Sequence, residues 1–393
     1  MTVRAPLEPR DFGFGEDESL LADLARKFLD EQLPVDKLRN LVARDPEAVY
    51  DRGERTDWDP GLWKQLVELG WSGLAVPERH GGAGFSLVGI AGLVEQVGRH
   101  ALPSPLIASL NATLVLREAE GAAASAWLTK IANGAPASLA LTDARGSWDP
   151  EDGDVTATRE GEQLRLDGTA FFVQDAFKAE LLVVKARLAS ESVLCVLPAN
   201  TEGVSLEQNH IHDLTRDQAT VRFAGVRVTP EQIVSRDAVA ALRAAWPALL
   251  VVVSADLCGG SEWLLQTTVE YAKNRTQFDR AIGFFQAVKH PLVNGMIRVD
   301  RARSLLYSAA CCVDVKADRS ERAARMAKSA ASDAGAFLSD RAVQLHGGIG
   351  FTWESDVHIF FKRSMHDQAL YGDGVHQRRK LADDLIGPIE TSA

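Results

Sequence analysis

Basic residues are in the minority in this sequence, which has 43 lysines and arginines against 54 acidic residues and a net charge of −11. A nucleic-acid-binding surface needs a basic stripe that neutralises phosphates, so the charge balance argues against that class of partner. The compact basic run at residues 378–380 is predicted to be a solvated helix face near the C-terminus. We therefore expect no nucleic-acid partner.

Cysteine is scarce as well. The four cysteines show no metal-ligand spacing and lie in apolar surroundings, at Cys195, Cys258, Cys311 and Cys312. Buried thiols in such surroundings behave as small hydrophobic groups. This usage is typical of a reduced cytoplasmic protein, and the sequence predicts no metal site.

Long apolar runs are also lacking. The longest, at residues 244–253, contains Pro247 and is too short to span a bilayer. Residues 1–20 carry prolines and acids where a signal peptide needs an apolar stretch. The sequence therefore predicts a cytoplasmic protein that does not insert into a membrane.

Several common catalytic motifs are missing. No strand followed by GxGxxG and a helix opens the chain, which argues against a Rossmann nicotinamide site. The sequence has no P-loop, no HExxH metal motif and no GxSxG nucleophile elbow. These absences argue against the commoner enzyme classes.

The hydrophobic pattern changes twice along the chain. Apolar positions recur at helical spacing from about residue 16 to 134, short alternating segments fill 135–230, and long helical patterns return after about 235. A block of strands between helical regions indicates an α+β protein and not a parallel βαβ sheet. We predict an N-terminal α-helical domain at 1–134, a middle β domain at 135–232 and a C-terminal helical domain at 233–393. The helices predicted in the last domain lie near 249–274, 288–315, 319–345 and 377–386.

Four stretches, in consistent order and spacing, together resemble the acyl-CoA dehydrogenase family of flavoproteins. They are LWKQLVELGWSGLAVPERHGGAGFS (62–86), LALTDARGS (139–147) with LDGTAFFVQDA (166–176), YAKNRTQFDRAIGFFQAVKH (271–290), and AVQLHGGIGFTWE (342–354) leading to LYGDGVHQRRKLADD (370–384). The resemblance covers nearly the whole chain. Its departures are most like actinobacterial members that form mixed-subunit enzymes.

The resemblance implies an N-terminal helical domain, a central antiparallel β-barrel-like domain and a C-terminal four-helix bundle. It also implies assembly as a homodimer, a homotetramer or a heterotetramer with a homologous subunit. In this family FAD binds non-covalently across a subunit boundary.

Arg275 is suited to hold the diphosphate of FAD, because a guanidinium is always charged and can engage phosphate oxygens in pairs. Gly347 and Gly348 follow a helical pattern and let the backbone approach an anion, although glycines there also end helices. The resemblance implies that the other cofactor contacts are Gln277, Phe278, Gln286, Gln344, Leu141, Thr142, Phe172, Val173 and Gln174. It places Ser147 near the substrate thioester.

The family's catalytic base is usually a glutamate that precedes Gly-Thr near the C-terminus. The ungapped match to that glutamate is Gly372, and Asp373 follows one residue later. Three interpretations stay open. Asp373 is the catalytic base, or the base comes from elsewhere or from a partner subunit, or Asp373 is a structural turn or helix-cap residue.

The function implied by the resemblance is FAD-dependent α,β-dehydrogenation of an acyl-CoA thioester, with a bulky or steroid-type acyl chain as a candidate substrate. A base takes the proton at Cα, a hydride passes from Cβ to flavin N5, and an electron-transfer flavoprotein is an example of the expected acceptor. Two alternatives remain. One is a non-catalytic or half-site partner subunit, and the other is a flavin oxidase or monooxygenase on the same fold.

Overall fold

The structure is a computed structural model that describes residues 12–43, 58–119 and 122–387. Residues 1–11, which form part of the segment without a signal-peptide pattern, lie outside this set. Contacts divide the chain into two compact units. The helical unit comprises Met1–Pro46, Leu87–Leu102 and Leu250–Ala393, and the sheet unit comprises Glu47–Ser86 and Pro103–Leu249. The three sequence domains follow chain order instead and stay a prediction.

Helices account for most of the described chain. They are α1 (Glu16–Gln32), α2 (Val35–Val42), α3 (Pro60–Glu68), α4 (Leu87–Arg99), α5 (Leu106–Arg117), α6 (Ala122–Ala132), α7 (Ala238–Asn274), α8 (Gln286–Asp314), α9 (Ser320–His346), α10 (Val357–Ala369) and α11 (Gly374–Ile386). Short 3-10 segments lie at Glu78–His80, Pro230–Gln232, Ile282–Phe284 and Gly347–Phe351.

The long helices predicted near the C-terminus are confirmed as α7, α8, α9 and α11, whereas α10 was not predicted separately. The predicted start of α7 near residue 249 was wrong, because the helix begins at Ala238 and contains Pro247. Proline in a helix interior costs about 3 kcal/mol. The neighbouring side chains of Trp246 and Ala248 are buried, and their burial offsets that cost.

Helix α7 is long and apolar enough to cross a membrane by length and composition alone. An 18-residue window of it has a mean hydropathy of 1.8, but 78% of that window is buried inside the protein. Close packing against α4 contributes to this burial, since a Cβ on Gly259 would lie 1.9 Å from the carbonyl oxygen of Glu95. The burial is typical of a core helix.

The sheet unit is built on one eight-stranded sheet. Its strands are β1 (Ala137–Ala140), β2 (Thr156–Glu160), β3 (Gln163–Gln174), β4 (Leu181–Leu188), β5 (Glu191–Pro198), β6 (Val204–Gln208), β7 (Gln218–Val228) and β8 (Ile233–Ser235). The order is β6-β7-β3-β2-β4-β5-β8, and β1 pairs with β4. The predicted α+β class, with helical regions on either side of a block of strands in the sequence, is confirmed.

The strand directions differ in one respect from the antiparallel prediction. Both β1 and β2 run parallel to β4, at its two ends, while the other pairs are antiparallel. Alternating polarity in the sequence reports which face of a strand is buried and not the direction of its neighbour. The sheet is therefore mixed.

Candidate functional site

Arg275 ends helix α7 and leads into a short hairpin formed by β9 (Thr276–Gln277) and β10 (Arg280–Ala281). The amide of Ile282 donates to the carbonyl oxygen of Arg275 at 2.8 Å, which closes the hairpin onto the helix end. Arg275 and the predicted cofactor residues Gln277 and Gln286 are all exposed. The hairpin thus holds a cation at the surface of the helical unit.

Phe278 is an unfavourable residue for the turn of this hairpin. Phe278 and Asp279 have φ of 55° and 57°, a conformation in which Asn, Asp or Gly costs less than a bulky residue. The Phe278 side chain is 85% exposed, with its ring edge-on to Phe285 at 6.0 Å between centroids. A strained and exposed aromatic residue indicates a contact with a ligand or a second chain.

The predicted glycine pair follows the end of helix α9. Gly347 has a φ of 65°, and within the described part of the chain no heavy atom lies within 4 Å of a Cβ built on Gly347 or Gly348. Both glycines and Gln344 are exposed. Internal packing therefore does not explain the glycine at 348, whereas an anion that approaches bare backbone N–H groups does.

The arginine and the glycine pair come together through an aromatic stack. The ring of Tyr271, one helical turn before Arg275, lies 4.2 Å from the imidazole of His346 at an interplanar angle of 24°. His346 directly precedes Gly347. The stack thus brings the end of α7, which leads into Arg275, to the end of α9, which leads into the glycine turn. A cation near such a turn fits a diphosphate anion.

The predicted cofactor residues of the sheet unit meet at a bulge. The register of β3 against β7 shifts between Ala170 and Val173, and Phe172 in the bulge has a φ of 55°. Phe171 bridges Thr142 and donates its amide to the Thr142 carbonyl at 3.0 Å. Leu141, Thr142 and Phe172 are therefore neighbours, and their contact with the flavin stays a prediction.

The Val173 and Gln174 side chains do not share one environment. Val173 is 1% exposed and belongs to the core of the sheet unit, so only its backbone is available to a ligand. The Gln174 amide donates to Gln218 Oε1 at 2.8 Å and to the Phe172 carbonyl at 3.0 Å. Gln174 thus stabilises the bulge through hydrogen bonds to residues of the same chain.

Ser147 lies in the loop after β1 and is bound by carboxylates. Its amide donates to Asp143 Oδ1 at 2.9 Å, and its hydroxyl donates to Asp152 Oδ2 at 2.6 Å. The hydroxyl must leave Asp152 before it can donate to a thioester. The placement of Ser147 as a substrate contact stays a prediction.

Asp373 lies in the turn between α10 and α11, which we call the 371–373 turn. Tyr371 and Gly372 have φ of 57° and 90°. Asp373 is exposed and caps α11, because its Oδ1 accepts from the amide of His376 at 2.8 Å. The role of Asp373 as catalytic base stays a prediction, and its observed contact is that of a helix cap.

Two buried side chains donate hydrogen bonds to the backbone of this turn, and neither was among the site residues predicted from the sequence. Lys328 is fully buried and donates to the carbonyls of Gln368 and Gly372 at 2.8 and 3.1 Å. Gln377, also fully buried, donates to the carbonyl of Tyr371 at 2.7 Å. A signal in the sequence that could have identified Lys328 is the presence of a lysine on the face of α9 that carries small, buried residues.

Burial lowers the pKa of Lys328 to about 7, although the charges of Asp367 and Asp373 act in the opposite direction. A lysine is rarely left fully buried unless its charge or its hydrogen bonds are used. Perturbed ionisable groups beside a strained turn are typical of functional sites.

The ring of His376 occupies the space beside Gly372. A Cβ on Gly372 would lie 2.4 Å from His376 Cδ2 and 3.1 Å from Nε2. A side chain at position 372, where the family carries its glutamate, therefore has no room unless His376 moves.

Family models match both helical parts of the sequence. The model of the acyl-CoA dehydrogenase N-terminal domain matches residues 15–135, and that of the C-terminal domain matches residues 251–386. Acyl-CoA dehydrogenase IpdE2 of Mycobacterium tuberculosis is 31% identical over 364 residues, which cover 91% of this chain and 97% of that protein. IpdE2 of Mycolicibacterium smegmatis is 29% identical over 349 residues, covering 87% and 93%.

Solved structures agree with these matches. The ChsE4-ChsE5 complex from Mycobacterium tuberculosis matches with a TM-score of 0.85 and 26% identity, over 98% of this chain and 100% of that one. A variant of the steroid ACAD Tcur3481-Tcur3483 matches with a TM-score of 0.83 and 28% identity, over 94% and 98%.

Proposed function

The chain belongs to the acyl-CoA dehydrogenase family, and from this premise we propose that it is a subunit of an enzyme that dehydrogenates a bulky, steroid-type acyl-CoA. The family prediction is confirmed, and with it the predictions of an oxidoreductase and of FAD as cofactor. The steroid-type substrate is proposed because the similar protein Tcur3481-Tcur3483 is a steroid ACAD.

The observation that carries the proposal is the Tyr271–His346 stack, with ring centroids 4.2 Å apart. It joins the helix end that leads into the exposed Arg275 to the helix end that leads into Gly347 and Gly348, which are exposed and have no side chains. An exposed cation near an uncovered glycine turn supports a diphosphate site. In an acidic protein, such a local cation is needed to hold an anionic cofactor.

FAD, when bound, supplies the acceptor for the hydride that leaves Cβ of the acyl chain. The chain's own residues bind and orient it. Arg275 would hold the diphosphate, the exposed turn at Gly347 and Gly348 would let it approach the backbone, and the Phe172 ring would cover an apolar face of the flavin. The proton at Cα goes to a group in or beside the 371–373 turn.

The exposed apolar residues of the helical unit support an oligomer. Besides Phe278, they include Phe284, Val293, Met296, Ile297 and Phe351, which are 48–59% exposed. Exposed apolar residues on this scale are typical of a surface that another chain covers. We place the enzyme in the cytoplasm as an oligomer of this or a homologous chain, with an electron-transfer flavoprotein as acceptor.

A second candidate is a half-site subunit that completes a homologous partner and leaves proton abstraction to it. Two observations favour it. The Asp373 carboxylate caps α11, and the His376 ring fills the place of a side chain at 372. Position 372 then carries no carboxylate, and the Asp373 carboxylate is engaged at Oδ1 as the cap of α11.

The test is anaerobic mixing of the purified protein and FAD with the CoA thioester of a steroid side chain. We expect the flavin absorbance to bleach with this thioester and much less with butyryl-CoA. Oxygen consumption with the same substrate would point to an oxidase. A colourless chain that gains flavin and bleaching activity only with a co-expressed homologue would identify the half-site subunit.

A further inference from the structure

The 371–373 turn is held from two helices at once. Lys328 of α9 and Gln377 of α11 together bind the carbonyls of Tyr371 and Gly372. The two turn residues are both in the left-handed region, a strained conformation for tyrosine. Such strain persists only where surrounding contacts determine it, so the turn is a rigid platform.

The 371–373 turn orients the side chain of His376. Its amide is capped by Asp373 at 2.8 Å, and its ring packs over the Cα of Gly372. The residue is half-buried, and within the described part of the chain neither ring nitrogen has a hydrogen-bond partner. A ligand can therefore reach an imidazole whose nitrogens are not engaged by protein groups.

The surroundings favour the neutral imidazole. Burial lowers the pKa of His376, as do the cations Lys380, Arg325 and Lys328, while Asp373 alone raises it. A pKa below the ordinary value of about 6.5 leaves the ring unprotonated near pH 7. A neutral imidazole accepts a proton, and the Asp373 carboxylate is engaged at Oδ1 as the cap of α11.

We propose that the imidazole of His376 is the catalytic base that takes the α-proton of the acyl-CoA. This inference rests on the proposed dehydrogenation. The Cα–H bond breaks, and its proton forms an N–H bond on the ring. Its electron pair becomes the Cα=Cβ π bond as the Cβ hydrogen leaves with two electrons to FAD. The acyl chain is oxidised and FAD is reduced.

Proton abstraction is measured apart from oxidation with a 3-thia analogue of the steroid side-chain CoA thioester, whose sulfur replaces Cβ and which therefore has no hydride to give. The full-length protein with FAD is incubated with it in D2O, and deuterium at Cα is followed by mass spectrometry. We expect His376→Gln to slow exchange at least about 100-fold, the usual contribution of a general base. Flavin content should stay at the wild-type level.

The matched control is His210→Gln, which changes an exposed histidine of the sheet unit and should leave exchange within about twofold. Retained exchange in His376→Gln, or a loss confined to Asp373→Asn, overturns the inference and leaves the dehydrogenation standing. A wild-type protein that neither exchanges nor bleaches with an acyl-CoA, with or without a homologous partner, rejects both.

A second readout needs no bound cofactor. In FAD-free protein carrying ¹³C-labelled histidine, the ring signal that disappears in His376→Gln should titrate below the ordinary range. Lys380→Gln removes a neighbouring cation and should move that titration to higher pH. A His376 ring that is still protonated at neutral pH overturns the inference.

Discussion

Gly372 shows how one missing side chain shapes the candidate site. Its φ of 90° belongs to the region that favours glycine, and its bare Cα supports the ring of His376. A glutamate at this position, as in the family, needs both a different backbone and a displaced histidine. The departure from the family pattern is thus structural as well as chemical.

We predict that Gly372→Ala lowers the free energy of unfolding by about 2–4 kcal/mol, from backbone strain and overpacking together. The new methyl group would lie 2.4 Å from the His376 ring. Urea unfolding measures the change. The control is Gly70→Ala, with a φ of 79° and no heavy atom within 4 Å of its Cβ in the described chain, which should cost about 1 kcal/mol. Equal losses in the two variants contradict the proposed contact.

Lys328 leads to a prediction about pH. Burial lowers its pKa to about 7 in the folded protein, against about 10.4 in the unfolded chain. Between these values the unfolded chain binds the extra proton, so this group makes stability rise with pH. The reduction in the free energy of unfolding caused by burying this lysine is greatest below about pH 7. It disappears above the pKa that the lysine has in the unfolded chain.

We expect Lys328→Met to remove this rise. Between about pH 7 and pH 9.5, the wild type should gain on the order of 3 kcal/mol more than the variant. Urea unfolding at a series of pH values measures the difference between the two proteins, and contributions from other groups cancel in it. Parallel curves would show that Lys328 remains protonated in the folded state.

At the scale of elements, the β9–β10 hairpin carries residues for two proposed roles, cofactor binding by Arg275 and subunit contact by Phe278. It ends α7 at Arg275 and displays Phe278, which is 85% exposed. The turn conformation is better suited to aspartate than to phenylalanine. The phenylalanine is therefore explained by what it contacts and not by the stability of its own unit.

Phe278→Asp should lower the flavin-to-protein ratio and the oligomer mass while changing the free energy of unfolding by less than about 0.5 kcal/mol. Light scattering after gel filtration and the flavin absorbance measure the two losses. Leu20→Asp, which changes a residue of α1 that is 57% exposed, serves as control and should alter neither. An unchanged oligomer with full flavin removes Phe278 from the proposed interface.

At the scale of the whole molecule, FAD retention depends on Arg275 as the matching charge for the diphosphate. We expect Arg275→Ala to lose FAD at least about tenfold more readily, because a charge-assisted bond of about 1.5–3 kcal/mol is removed. Equilibrium dialysis against free FAD measures this. Arg159→Ala, which removes an exposed arginine of the sheet unit, should retain wild-type affinity. Equal affinity in both variants contradicts the cofactor assignment.

The sequence by itself determined the family, the α+β class and the cofactor. These follow from local signals, namely helical and alternating periodicity and motifs that are contiguous in the chain, such as Tyr271 to His290. The buried helix α4 and the long helices α8 and α9 were predictable for the same reason. Apolar residues recur at helical spacing in the sequences of these helices.

Only the tertiary structure decided the rest. The parallel pairing of β1 with β4, the stack of Tyr271 on His346 and the grip of Lys328 on Gly372 join residues far apart in the chain. No local pattern encodes such contacts, because they depend on which helices and strands become neighbours. His376 emerged as the proposed base because Lys328, 44 residues before Gly372, holds the backbone of the turn on which the His376 ring packs.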